Sequence, residues 1–139
     1  MRNVFLDTNI LIDLLANRVP FSKFAIEIFD LGQKKQLQLY TSSHSYATTH
    51  YMLKKYIAEK ELRALLYTLL DFIKLIPIDI SIIKKSLLSG HKDLEDAIQI
   101  FAANSIADMD CIITRNLKDF KNTGILVLAP DEFIQHIKK

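Results

Sequence analysis

The sequence predicts an α/β fold, a single domain over residues 1–139 in which helices cover both faces of a central parallel sheet. Three observations predict it. Short apolar runs of strand length alternate with longer stretches whose apolar residues recur at helical spacing. The chain has 139 residues, 50% hydrophobic and 24% charged, enough to bury one sizeable core. Only 3 glycines and 3 prolines occur, and no Ser/Gly-rich linker, Pro-rich linker or internal repeat marks a second domain.

The elements follow in order. Asn3-Val4-Phe5-Leu6 reads as a strand that stops at Asp7, and Ile10, Leu11, Leu14 and Leu15 then recur at helical spacing. Ser22 is placed to cap a second helix with a core stripe of Phe24, Ile28, Phe29 and Leu31, ended by Gly32 with Lys34 and Lys35. A strand from Leu37 to Thr41 leads to a helix started by Ser43, with Tyr46, His50, Leu53 and Ile57 on one face. A further helix runs from about Glu59 to Phe72, and Leu75-Ile76-Pro77-Ile78 reads as the next strand. Asp79 and Asp93 have the character of helix N-caps, the first opening Ile80 to Leu88 and the second opening Leu94 to Ala107 after a break at Gly90. Strands Asp110 to Thr114 and Ile125 to Leu128 and a helix from Pro130 complete the alternation.

Composition narrows the function classes only slightly. The net charge of +2 neither establishes nor excludes a polyanionic partner. A lone Cys111 within Cys111-Ile112-Ile113 cannot form an internal disulfide or a multi-cysteine zinc site, which points to a buried thiol and the cytoplasm. His44, His50, His91 and His136 lack an i, i+4 pair or neighbouring cysteines, so a zinc site is not expected. The first apolar stretch is interrupted by Asp7, Asn9 and Asp13, so neither a signal peptide nor a membrane span is expected.

Ligands collect outside the carboxyl ends of parallel strands, which directs attention to polar residues just after them. Asp7-Thr8-Asn9 follows the first strand, and Thr114-Arg115-Asn116-Leu117-Lys118-Asp119-Phe120 follows the one beginning near Asp110. Asp93-Leu94-Glu95-Asp96-Ala97 occupies a helix start whose carboxylates reach the same edge if that helix begins there. Clustered carboxylates repel and raise one another's pKa unless a cation or shared proton neutralises them. Mg²⁺ or Mn²⁺ suits oxygen ligands and activates a water for in-line attack on a phosphodiester, so the pattern points to metal-dependent hydrolysis of a phosphate ester. Each acid also has a purely structural role available. Asp7 and Asp93 with Asp96 can serve helix starts, Glu95 can be a solvated first-turn acid, and Asp119 can cap a short turn.

At these residues the chain resembles the PIN-domain nucleases, particularly the toxin ribonucleases of VapBC-type toxin–antitoxin pairs. Leu6-Asp7-Thr8-Asn9-Ile10-Leu11-Ile12-Asp13 is similar to the family's opening motif, which implies that Asp7 binds metal and Asn9 supports it by hydrogen bonding. Asp93-Leu94-Glu95-Asp96-Ala97-Ile98-Gln99 resembles the third motif, with Asp96 on the metal-binding acid. Ile112 to Phe120 resembles the fourth, with Thr114, Asn116 and Asp119 at its polar positions. In the second motif Thr48 stands where the family carries a glutamate, so one negative charge is missing and metal affinity is expected to fall unless Glu95, adjacent to Asp96, or a group from elsewhere compensates. The resemblance spans nearly the whole chain with its motifs in order. It implies a three-layer α/β/α domain with sheet order 3-2-1-4-5, an RNA substrate, a homodimer and a cognate antitoxin.

Cleaving RNA at an acidic pocket requires a basic rim, for which Arg115, Lys118, Lys54 and Lys55 are the candidates, with Tyr56 as a stacking surface. Two other readings compete. A haloacid-dehalogenase-type phosphatase uses a first-strand Asp as nucleophile, but needs a second Asp where Asn9 stands. A PIN-like module that has lost turnover at Thr48 would bind RNA or protein without cutting.

Overall fold

A computed structural model describes residues 2–138. Its five strands are β1 (Arg2–Leu6), β2 (Leu37–Ser42), β3 (Ile73–Ile76), β4 (Cys111–Ile113) and β5 (Leu126–Leu128), all parallel in the order β3-β2-β1-β4-β5. The helices are α1 (Thr8–Leu15), α2 (Ser22–Gln33), α3 (Ser43–Leu53), α4 (Glu59–Leu69), α5 (Ile80–Leu88), α6 (Leu94–Asn104) and α7 (Pro130–Ile137). A 3₁₀ turn covers Leu117–Asp119.

Alternation along the central strands divides the core in two. Val4 and Leu6 of β1 and Cys111 and Ile113 of β4 pack with α1, α2, α3, α4 and α7, whereas Phe5 and Ile112 face Ile82 of α5 and Ile98 of α6. This is the period-2 geometry of a strand buried on both faces, and it makes the expected three-layer α/β/α arrangement. Burial pushes the Cys111 thiol up to about 12, so it serves as core. Among the described residues no helix is long and apolar enough to cross a membrane.

Several boundaries differ from expectation for local reasons. β3 lies two residues earlier, ending before Pro77, which has no N–H for the ladder. Ser42 rather than Ser43 caps α3, its Oγ accepting from Ser45 N–H at 2.9 Å. Ser22 lies inside α2, and α4 and α6 stop at Leu69 and Asn104. Gly32 lies within α2, where a Cβ would stand 2.5 Å from Leu39 Cδ1. The chain leaves α2 at Lys35, with φ 60°, and Lys35 and Gln36 donate their N–H groups to the carbonyls of Gly32 and Leu31.

After β1 the chain builds outward through β2 to β3, then α6 carries it back across the sheet to β4 on the other flank of β1. The strand order therefore reverses between β1 and β4, and their carboxyl ends open a crevice there.

Candidate functional site

Asp7 follows β1 at this crevice and is 3% exposed. Its backbone N–H donates to the Ile113 carbonyl at 3.0 Å, tying the ends of β1 and β4 together. Thr114 Oγ1 donates to Asp7 Oδ2 at 2.7 Å and accepts from Asn116 N–H at 3.0 Å. Burial pushes the Asp7 carboxyl above its ordinary value, opposed by hydrogen bonds from the Thr114 and Gln99 side chains and the Thr8 and Asn9 backbones. Among the described residues Asn9 thus reaches Asp7 through its main chain rather than its side-chain amide. Gln99 of α6 was not singled out in the sequence. It is buried, and its Oε1 accepts from Thr8 N–H at 3.2 Å. Its signal was available, since it lies three residues after Asp96 on the same helical face.

α6 begins at the same edge. Asp93 Oδ1 accepts from Asp96 N–H at 3.1 Å, so its cap role is real. Asp96 is half-buried, and its carboxyl is pushed up to about 7, first by desolvation and then by the charges of Asp93, Asp7, Asp119 and Glu95. Four carboxylates from three segments of the chain therefore bear on Asp96. Asp119 stands exposed at the end of the 3₁₀ turn that Asn116 opens, donating its N–H to the Asn116 carbonyl at 3.0 Å.

Near the α3 N-terminus, His44 Nε2 lies 3.5 Å from Glu95 Oε1, beyond a good hydrogen bond, and has no hydrogen-bond partner. Thr48 is half-buried one turn further along α3. The basic candidates separate. Lys118 is exposed beside Asp119, but Lys54 and Lys55 lie past the far end of α3, roughly 15 Å from its start at 1.5 Å rise per residue. Lys54 instead stands over the Tyr51 ring, 4.8 Å from its centroid. Arg115 is held inward: Nε and Nη2 donate to Asp13 at 2.6 and 3.1 Å, and the guanidinium stands 4.0 Å over the Phe21 ring centroid.

Among the described residues no three His, Cys, Asp or Glu side chains draw close enough to enclose an ion unaided. Mg²⁺ needs no such cage, because it keeps several waters and binds through one or two carboxylates. An all-oxygen donor set around Asp7 and Asp96, with more negative charge than the protein neutralises, fits a hard divalent cation.

The sequence profile of the PIN domain family matches residues 3–118. Ribonuclease VapC1 of Aquifex aeolicus (strain VF5) is 28% identical over 137 residues, 95% of this chain and 93% of that protein. A toxin–antitoxin complex from Klebsiella pneumoniae contains a chain of TM-score 0.64 and 28% identity, with 91% of this chain and 97% of that one covered. VapBC2 from Rickettsia felis, bound to a DNA fragment from its promoter, matches with TM-score 0.65 at 16% identity over 91% of this chain and 98% of that one, a likeness of fold.

Proposed function

The chain belongs to the PIN domain family, and on that premise we propose that it is an endoribonuclease, the toxin member of a toxin–antitoxin pair, dependent on Mg²⁺ or Mn²⁺. The observation that carries this reading is the convergence of Asp7, Asp96, Asp119, Asp93 and Glu95 at the strand-order reversal. The similar proteins named as a ribonuclease and as parts of toxin–antitoxin complexes support the substrate class and an antitoxin partner. A homodimer and a cytoplasmic location, in keeping with the buried free thiol of Cys111, complete the proposal.

Asp7 and Asp96 would hold the metal, with Asp119 at the outer side and Glu95 in place of the carboxylate absent at Thr48. The bound ion supplies charge neutralisation at the phosphate and a water of lowered pKa. The chain's own residues do the rest. Thr114 fixes one Asp7 oxygen, Gln99 supports the same carboxylate from α6, and the Asn116 N–H holds the Thr114 hydroxyl in place. Lys118, beside the acids, meets incoming phosphate charge.

The test is cleavage of a mixed RNA pool with Mg²⁺, Mn²⁺ or EDTA, beside Asp7→Asn and Asp96→Asn proteins checked for folding by circular dichroism. Cleavage that requires both the ion and both acids is expected. Cleavage surviving in EDTA or in either variant would overturn the metal mechanism. A second reading, a module that binds without cutting, is favoured by one observation, the hydroxyl of Thr48 at the acid position. It predicts RNA retention with no products under any ion.

A further inference from the structure

Of the basic residues that the sequence offers for RNA, Arg115 turns inward to Asp13, and Lys54 and Lys55 stand past the far end of α3, which leaves Lys118. The structure offers a further basic surface. An open groove of about 430 Å³ lies beside α6, lined by Lys85, His91, Phe101, Asn104, Asn122 and Thr123, with no acidic residue in its lining among the described residues. Its place follows from the segments that carry the acids. β4 and β5 are parallel, so the chain between them must travel from the crevice back to the opposite edge of the sheet. It passes Asp119 and then runs alongside α6, where Asn104 Nδ2 donates to the Thr123 carbonyl at 2.7 Å. α6 runs the same way, from Asp96 at the crevice to Asn104 two turns beyond, roughly 12 Å along its axis. The same two segments therefore frame the acids at one end and the groove at the other. The opposite wall joins the site as well, because His91 lies two residues before Asp93, the cap whose charge acts on Asp96.

Resting on the ribonuclease reading, we infer that this groove holds the backbone of single-stranded RNA where it leaves the acidic crevice. Lys85 lines the groove, and Lys92 and Lys121 adjoin its lining residues His91 and Asn122 in the chain. These three lysines and Lys118 are exposed, and none of them makes an ion pair among the described residues. Unpaired ammonium groups beside a cluster of carboxylates are what a phosphate-bearing chain requires, since the acids alone repel it. Phe101, whose ring meets that of His91 edge-on with centroids 6.2 Å apart, adds an aromatic surface for an unpaired base. Basic groove and aromatic platform together bind single strands through backbone charge and stacking, without reading sequence.

The experiment follows the fluorescence anisotropy of a labelled, mixed-sequence single-stranded RNA with the Asp96→Asn protein, which holds RNA uncut on the ribonuclease reading, over a series of KCl concentrations. Each phosphate neutralised on a single strand contributes about 0.7 to the slope of log affinity against log salt. Lys85→Gln combined with Lys121→Gln is expected to lower that slope by about 1.4 and to weaken binding alike for all sequences. Both side chains are exposed, so the variant keeps the core, and circular dichroism checks this. Lys54→Gln with Lys55→Gln, which removes the same charge beyond the far end of α3, leaves the slope unchanged. In protein with Asp96 intact, the groove variant raises KM for RNA rather than lowering kcat. A slope as steep in the groove variant as in the control, with RNA still cut by the wild type, overturns the groove alone. Loss of a co-purifying acidic protein from the groove variant, with the salt slope intact, assigns the surface to that partner and overturns the groove as well. A wild type that neither cuts nor binds RNA overturns the ribonuclease reading and the groove with it.

Discussion

At Asp96, a carboxyl that ordinarily titrates at 3.8 is pushed up to about 7 by its surroundings. The folded state therefore holds this proton more tightly than the unfolded chain does. The stability it contributes is complete below about pH 3.8 and is lost as pH rises through about 7. Asp7 is shifted in the same direction. The metal-free protein should accordingly melt at falling temperature between about pH 5 and about pH 7.5, by on the order of 1 kcal/mol once solvent screening of the half-exposed Asp96 is allowed for. Asp96→Asn should flatten most of that slope and raise the metal-free Tm at neutral pH, while added Mn²⁺ should stabilise the wild type and not the variant. A wild-type Tm independent of pH over this range would contradict the crowding of charge. Thr48→Glu adds a carboxylate one turn from His44, and ligand charge sets the affinity of oxygen-donor sites. It should tighten Mn²⁺ binding roughly tenfold in calorimetric titration. Of these residues, Asp7, Asp96 and Asp119 were legible from their places after strands and at a helix start. Gln99 carries only the signal of lying one turn after Asp96, and its role emerges when the helix is laid against Asp7.

Among the elements, α2 shows where a local rule gave way to packing. The sequence has a glycine followed by lysines at the helix end, the usual signature of a stop, yet Gly32 serves close approach to Leu39, whose side chain is fully buried and cannot give way. Gly32→Ala should therefore destabilise by about 2 kcal/mol through overpacking, despite the better helix propensity of alanine. The left-handed position that closes α2 is taken by Lys35, at a conformational cost that glycine avoids. Lys35→Gly should stabilise by about 1 kcal/mol. Urea denaturation of the two variants should move the midpoint in opposite directions, and a shared direction would refute the assignment of the two roles. The caps at Asp79 and Asp93 were readable because they are local: each carboxylate accepts an N–H three residues on, a bond set by sequence spacing.

Across the whole molecule, the Asp13–Arg115 pair fastens α1 to the segment after β4, joining positions 102 apart in the chain. Asp13 is 1% exposed and Arg115 24%, so removing the cation leaves a buried carboxylate unpaired. Arg115→Ala should cost about 3 kcal/mol in chemical denaturation, and the double variant Asp13→Leu, Arg115→Leu should recover part of that loss. A loss no larger in Arg115→Ala than that of an exposed ion pair would show that the fastening does not hold. By its position in the sequence Arg115 is a candidate arm for RNA, and nothing in the order of residues reveals that Asp13 lies across from it. The same division runs through the protein. The sequence by itself determined the alternation of strands and helices, two of the caps, and the three segments that carry the acids, since periodicity, capping and strand ends depend on neighbours a few residues away. Tertiary structure alone decided that Asp7 and Asp119 act on Asp96, that Gln99 supports Asp7, and that Arg115 turns inward to Asp13 and Phe21. Those relations arise where the strand order reverses between β1 and β4, and a through-space field or a contact between distant segments exists only once the sheet is assembled.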